Sequence, residues 1–230
     1  MIGIVLCGGL GTRLGELTRD TPKPMLLVAG RPFVAHILDK LSNVGLSGLI
    51  ISVGFQWRKV REFVGYEWNG LPIEYSIEKM PLGTGGAIKK AMRDKNLKEA
   101  LVFNGDTMFD IDVIHFIDTS RKINSEICIA LRKMDDCGRY GRVNINDKNR
   151  VLCFEEKGCD GPGLINGGVY FLKYDSILDV DLIQFSFEAD VLQGKLSEIN
   201  VHGMIFKDFF IDIGIPSDLS RANVELSIAR

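Results

Sequence analysis

The chain has 230 residues, 46% hydrophobic and 25% charged, with 28 Lys and Arg against 30 Asp and Glu for a net charge of −2. A chain of this length buries roughly 70% of its unfolded surface, so one domain with one sizeable core forms without disulfide or metal staples. The balanced charge excludes the basic field of a nucleic-acid binder, and the apolar start MIGIVLCGG is too short for a membrane span and lacks the basic lead of a signal segment.

Residues 2–7 are a continuous apolar run cut off by glycine, the pattern of a buried parallel strand. Residues 32–44 carry Phe33, Val34, Ile37, Leu38 and Leu41 at helical spacing, closed by Gly45. A strand over 49–53, a helix over 56–64, a strand over 73–77, a helix over 86–92 and a strand over 101–104 follow. Such alternation predicts a doubly wound, Rossmann-like α/β sheet whose ligand lies at the carboxyl ends of the strands. Beyond this point the spacing predicts shorter strands over 127–131, 141–145, 151–155 and 168–172, joined by turns. A helix over 187–192, a strand over 201–206 and a last helix from Pro216 complete the chain. No Pro/Gly/Ser linker divides it. It reads as a single domain, residues 1–107 forming a nucleotide-binding half and residues 108–230 a second half that completes the sheet and walls a cleft.

Five cysteines, Cys7, Cys128, Cys137, Cys153 and Cys159, form an odd set with no CxxC pair, which indicates neither a disulfide framework nor a zinc site and suits a reducing cytoplasm. His36, His115 and His202 share no spacing and read as structural.

Gly8, Gly9 and Gly11 follow the first strand directly, where backbone N–H groups can turn toward a phosphate and no Cβ holds it off. A lone glycine loop is as well explained by a tight turn, so spacing must decide. The dinucleotide fingerprint GxGxxG requires glycine where Leu14 stands, and a Walker A loop requires Ser or Thr after Gly-Lys, whereas Gly194-Lys195 is followed by Leu196. Both fail. What remains is a loop with its own Arg13, followed by Lys23 between Pro22 and Pro24, two cations suited to a polyphosphate.

The stretch GGLGTRLGELTRDTPKPM resembles the signature of the sugar-1-phosphate nucleotidyltransferases, the nucleotide-sugar pyrophosphorylases, with Glu16 where many members have proline. PLGTGGAIKKA, NGDTMFDID, RYGRVNI, FEEKG, LINGGVYFL, FSFEADVL and FFIDIGIP extend the likeness to about Pro216, and they are most similar to members that use GTP and manno-configured sugar phosphates, heptose 1-phosphate in particular. The resemblance implies a single mixed-sheet domain of the GT-A-like type, transfer of GMP from GTP to the heptose 1-phosphate with release of pyrophosphate, and Mg²⁺ as cofactor; mannose 1-phosphate as acceptor, or UTP, CTP or dTTP as nucleotide, is the alternative within the family. No further module follows in the sequence, so a short member rather than a bifunctional one is expected, with a homodimer left open.

Residue by residue, the resemblance makes Arg13, Lys23 and Asp106 catalytic, and makes Asp106 and Asp212 the Mg²⁺ ligands. It places the nucleotide against Leu6, Gly8, Gly9, Gly11, Thr12, Arg13, Lys23, Glu78, Pro81, Gly83 and Thr84. The sugar phosphate falls to Asn104, Gly105, Tyr140, Gly141, Glu155, Lys157, Asn166 and Gly167. On their own chemistry, Asn104-Gly105 is also an ordinary turn, Thr84 a helix cap, Glu155-Glu156-Lys157 a solvated cluster, and Gly167-Gly168 a strand bulge. Asp212, between Ile211 and Ile213, is costly to bury unless something pairs with it. Two readings from other classes compete: a dinucleotide-dependent oxidoreductase, disfavoured by Leu14, and a silent nucleotide-sugar sensor, disfavoured by the full set of Arg13, Lys23, Asp106 and Asp212.

Overall fold

The computed structural model describes residues 1–9, 11–158 and 160–228; Leu10 and Cys159 lie outside the described residues. The first half alternates as its periodicity requires. Strand β1 (Ile2–Leu6) leads through the glycine loop and two 3₁₀ turns (Thr12–Thr18, Lys23–Met25) to a small hairpin of β2 (Leu27–Val28) and β3 (Arg31–Pro32), then to α1 (Phe33–Leu41). There follow β4 (Gly48–Val53), α2 (Trp57–Val64), β5 (Glu67–Trp68), β6 (Leu71–Ile77), α3 (Gly83–Asp94) and β7 (Glu99–Asn104). Helix α3 starts three residues before the expected Gly86.

The second half departs further from expectation. After β8 (Thr107–Phe109) comes an unforeseen helix, α4 (Val113–Lys122), whose first turn is capped by the Asp112 carboxylate accepting from the His115 N–H at 2.9 Å. Strand β9 (Ile127–Met134), the hairpin of β10 (Val143–Ile145) and β11 (Val151–Phe154), and β12 (Gly163–Lys173) follow. Strand β12 runs for 11 residues, the longest among the described residues, and is not a short one beginning at Gly168. A short α5 (Asp175–Leu178) precedes a π-helix (Phe187–Gln193) where an α-helix was expected; β13 (Val201–Phe206), β14 (Phe210–Asp212) and α6 (Pro216–Ile228) close the fold.

Eight strands form one mixed sheet in the order β13-β9-β12-β7-β1-β4-β6-β5. Strands β7, β1, β4 and β6 run parallel, and β12 pairs antiparallel with both β7 and β9, so strands of the two halves share one sheet. Alternate side chains of the parallel strands enter opposite cores: Val5 and Ile51 pack with α1, α2, α4 and α6, whereas Ile4 and Ile50 pack with α3, α5 and the π-helix. The register of β12 against β9 jumps from Asn166↔Leu131 to Tyr170↔Ile129, a bulge spanning Gly167, Gly168 and Val169. Among the described residues, no helix is long and apolar enough to cross a membrane.

Candidate active site

A cavity of about 730 Å³ opens over the carboxyl ends of β1, β6 and β7, within the size range of small-molecule sites. It collects Leu6, Gly8, Gly9, Arg13, Lys23, Glu78, Pro81, Gly83 and Thr84 on one side, and Asn104, Gly105, Asp106, Tyr140, Gly141, Glu155, Lys157, Asn166 and Asp212 on the other. Three expected residues are not on its wall. Gly11 instead makes the loop possible: its φ of +65° suits glycine, and its carbonyl accepts from the Leu14 N–H at 2.9 Å and the Thr18 hydroxyl at 3.0 Å. Thr12 is exposed at the start of the 3₁₀ turn, outside the cavity lining. Gly167 faces the Phe109 ring, and Gly168 lines the cavity in its place.

The backbones that carry the two aspartates are brought side by side because β8 and β14 pair, with Asp212 opposite Thr107 and the Ile213 N–H donating to the Asp106 carbonyl at 2.9 Å. Each aspartate carries a cation. Lys23 Nζ lies 2.5 Å from Asp106 Oδ2, and Thr107 donates to Asp106 Oδ1 at 3.1 Å. The Arg139 guanidinium bridges Asp212 to Asp218 of α6 and lies over the Tyr140 ring, 4.7 Å from its centroid. This arrangement answers the cost of burying Asp212, whose side chain is mostly buried. Arg13 and Lys157, in contrast, form no salt bridge among the described residues.

Glu78 enters from the end of β6 and accepts the Leu82 N–H at 3.1 Å and the Ser52 hydroxyl at 3.3 Å. Burial raises its pKa above the ordinary glutamate value. The carboxylate lies where a Cβ on Gly8 would stand. Across the cavity, Glu155 accepts from Asn144 Nδ2 at 2.6 Å and Arg142 Nη1 at 3.2 Å. Gly141, at φ +80°, lets that hairpin close, since a Cβ there would come within 2.6 Å of the Glu155 carbonyl oxygen.

Thr84 is not a helix cap. It is the second residue of α3, where its hydroxyl accepts from the Phe187 N–H at 2.8 Å and donates to Glu188 at 2.7 Å. The N–H groups of Gly85 and Gly86 in the first turn of α3 donate to the Phe185 carbonyl at 3.0 and 3.4 Å, which ties the helix start to the segment before the π-helix. Gly83, Gly85 and Gly86 permit that contact, because a Cβ on any of them would strike the segment around Phe185.

Burial, then the charge of Asp106, push the Cys7 thiol far up, and burial raises Tyr140 and Tyr170 as well. His36 is buried in α1 with Nε2 2.9 Å from the Val28 carbonyl, and His115 is exposed on the outer face of α4. Sequence reading missed Arg139, Arg142, Tyr170 and Glu188 as lining residues. RYGR offered a signal for the first two, whereas the others depend on contacts from elements far apart in the chain.

The nucleotidyl transferase family model matches residues 2–227. The chain is 45% identical to the D-glycero-α-D-manno-heptose 1-phosphate guanylyltransferase of Campylobacter jejuni subsp. jejuni serotype O:2, over 95% of this chain and 96% of that protein. To the enzyme of the same name from Aneurinibacillus thermoaerophilus it is 38% identical, over 98% of each. The crystal structure of HddC from Yersinia pseudotuberculosis complexed with GMP-PN superposes with a TM-score of 0.87 at 35% identity, covering 98% of this chain and 99% of that one.

Proposed function

The chain belongs to the nucleotidyl transferase family, and from that premise we propose that it transfers GMP from GTP to D-glycero-α-D-manno-heptose 1-phosphate, giving GDP-heptose and pyrophosphate. The observation that carries this reading is the division of one cavity. Arg13, Lys23 and Glu78 stand on the wall built by the first half, and Glu155, Lys157 and Asn166 stand opposite.

Such a cavity suits a reaction in which the substrate brings its own nucleophile. A phosphate oxygen is already anionic near neutral pH, with a second pKa of about 6, so no general base is needed. This agrees with a cavity thiol held neutral. The protein's task is then to align the acceptor phosphate with the α-phosphate of GTP and to neutralise charge. Arg13, without an acidic partner among the described residues, holds the α-phosphate and the leaving pyrophosphate. Lys23 reaches the triphosphate after leaving Asp106, and Lys157 fixes the incoming phosphate. Glu78 faces the N1–H and amino edge of guanine, and Glu155 and Asn166 take sugar hydroxyls.

The donor set near Asp106 and Asp212 fits Mg²⁺. Both donors are carboxylate oxygens, and two are enough for an ion that keeps water and phosphate oxygens as its remaining ligands. Among the described residues there is no group of three or more His, Cys, Asp or Glu, so a closed protein cage is not on offer. When bound, Mg²⁺ would supply charge neutralisation at the phosphates. Lys23 and Arg139, which now hold these carboxylates, would yield them. Free thiols at Cys7, Cys128 and Cys137 suit the cytoplasm as its place of work.

Pyrophosphate release measured for four nucleoside triphosphates against heptose, mannose, glucose and N-acetylglucosamine 1-phosphates tests the proposal. The fastest turnover is expected with GTP and the heptose. Activity confined to UTP or dTTP with glucose 1-phosphate would overturn it.

A further inference from the structure

Glu188, in the first turn of the π-helix, is a side chain that the mechanism above does not use, yet three hydroxyl groups converge on it. The Thr84 hydroxyl accepts from the Phe187 N–H at 2.8 Å, which leaves its hydrogen for Glu188 Oε2 at 2.7 Å. The Ser186 hydroxyl accepts from the Ala189 N–H at 3.1 Å and donates to the same oxygen at 3.2 Å. The Tyr170 hydroxyl accepts from Asn166 Nδ2 at 2.9 Å and lies 3.5 Å from Glu188 Oε1. A carboxylate only accepts, so it fixes the direction of every hydroxyl around it.

The consequence reaches Asn166. Tyr170 has one hydrogen, and with that hydrogen directed at Glu188 its oxygen is free to accept from Asn166 Nδ2. Asn166 Oδ1 meanwhile accepts the Gly168 N–H at 3.0 Å. Both contacts set the same amide orientation and leave one N–H of Asn166 unspent, on a residue that lines the cavity. Tyr170 is buried, and its ring meets Phe187 edge-on with centroids 5.0 Å apart, which holds the phenol at its distance from the π-helix. Wide π turns recur at functional sites, where they re-aim side chains.

We propose that Glu188 is a positioning residue that acts through Tyr170 to present the free N–H of Asn166 to an acceptor hydroxyl, and that it does so from α3 on the nucleotide side, to which Thr84 ties it. This rests on the reading of the Asn166 wall as the acceptor site. A glutamine at 188 would break the pattern. Its amide, turned toward Tyr170, would drive the phenol hydrogen back at Asn166 Nδ2, a donor facing a donor, and the Asn166 amide would lose its fixed orientation.

Initial-rate pyrophosphate release with GTP and manno-heptose 1-phosphate tests this in wild type, Glu188→Gln, Tyr170→Phe and the double variant. The acceptor KM is expected to rise roughly tenfold in either single variant, about what one fixed hydrogen bond contributes. The GTP KM should stay within about twofold, and the double variant should be no worse than either single, since both cut one chain. Should Glu188→Gln fail to fold, Tyr170→Phe carries the test, because it keeps the ring and removes the hydroxyl alone. An unchanged acceptor KM, additive losses in the double variant, or a fall in kcat with lower Tm and unchanged KM would overturn the role. If the wild type releases no pyrophosphate from this pair, the acceptor reading falls with it; wild-type activity beside unchanged variants sinks the Glu188 role alone.

Discussion

Gly8→Ala and Gly9→Ala, one position apart, are expected to differ sharply. A Cβ on Gly9 meets nothing within 4 Å. A Cβ on Gly8 overlaps Glu78 Oε1 and comes within 3.3 Å of its Cδ. The carboxylate must therefore move, although it is the movable end of a side chain and the backbone need not follow. What is lost is its anchoring, the 3.1 Å bond from the Leu82 N–H and the 3.3 Å bond from the Ser52 hydroxyl. Two such bonds contribute about 1–2 kcal/mol together once the freed groups are partly rehydrated. In a protein of this length that lowers Tm by about 4 °C. Because Glu78 is the group assigned to the guanine edge, the KM for GTP should rise in Gly8→Ala while that for the sugar phosphate holds. Differential scanning fluorimetry and two-substrate kinetics on both variants, with Glu78→Ala and the Gly8→Ala/Glu78→Ala double, measure this. The double should cost less than the sum of its parts, since no carboxylate remains to collide. Equal Tm and equal GTP KM for the two glycine variants would refute the placement of Glu78 over Gly8.

Arg13→Ala is expected to lower kcat by roughly two orders of magnitude, as loss of one transition-state donor does elsewhere, with little change in Tm because the side chain is exposed; near-normal pyrophosphate release would remove it from the mechanism. Asp106→Ala should lower kcat similarly and also lower Tm, since it strands Lys23, whose side chain is only 12% exposed, and a wild-type melting curve would contradict the pairing. Glu78→Gln probes the pH dependence of stability. A carboxyl whose folded pKa is raised contributes stability that is fully present below its unfolded value, near 4.5, and is lost as pH rises through the folded value. The glutamine variant, with Ser52 turned to accept from its amide, should therefore gain Tm over wild type on going from below 4.5 toward neutrality. A constant difference across that range would show that burial does not perturb Glu78. Gly141→Ala forces a side chain into φ +80° against the Glu155 carbonyl and should cost about 1–2 kcal/mol and raise the acceptor KM; an unchanged melting temperature would exclude the close approach.

The first half of the fold was legible because parallel strands buried on both faces are written as unbroken apolar runs, as in IGIVL and GLIISV. Helix α4 was missed although Val113, Phe116 and Ile117 stand at helical spacing behind the capping Asp112, because it follows the NGDT turn without a glycine or proline break to announce it. The length of β12 was hidden because the apolar run was expected to begin at Gly168, whereas the bulge that Gly167 and Gly168 also suggested lies inside a strand starting at Gly163. The π-helix carries no periodicity distinguishable from an α-helix over seven residues. Most of the cavity wall came from the resemblance of motifs, and Gly11, Thr12 and Gly167 show its limit: a motif residue can serve the shape of a loop without facing the cavity. Arg139 could be noticed in RYGR, yet its bridge from Asp212 to Asp218 joins residues 73 or more positions away and exists only once β14 and α6 are in place. Glu188 is of the same kind, tied to Thr84 across 104 positions.

Isotope exchange addresses most directly whether the acceptor phosphate, rather than a protein group, attacks GTP. Enzyme is incubated with GTP and labelled pyrophosphate, with and without manno-heptose 1-phosphate. Label should enter GTP when the acceptor is present and stay out when it is absent. Exchange without acceptor would reveal a guanylylated protein intermediate and contradict direct transfer, and absence of exchange with acceptor present would contradict the reaction itself.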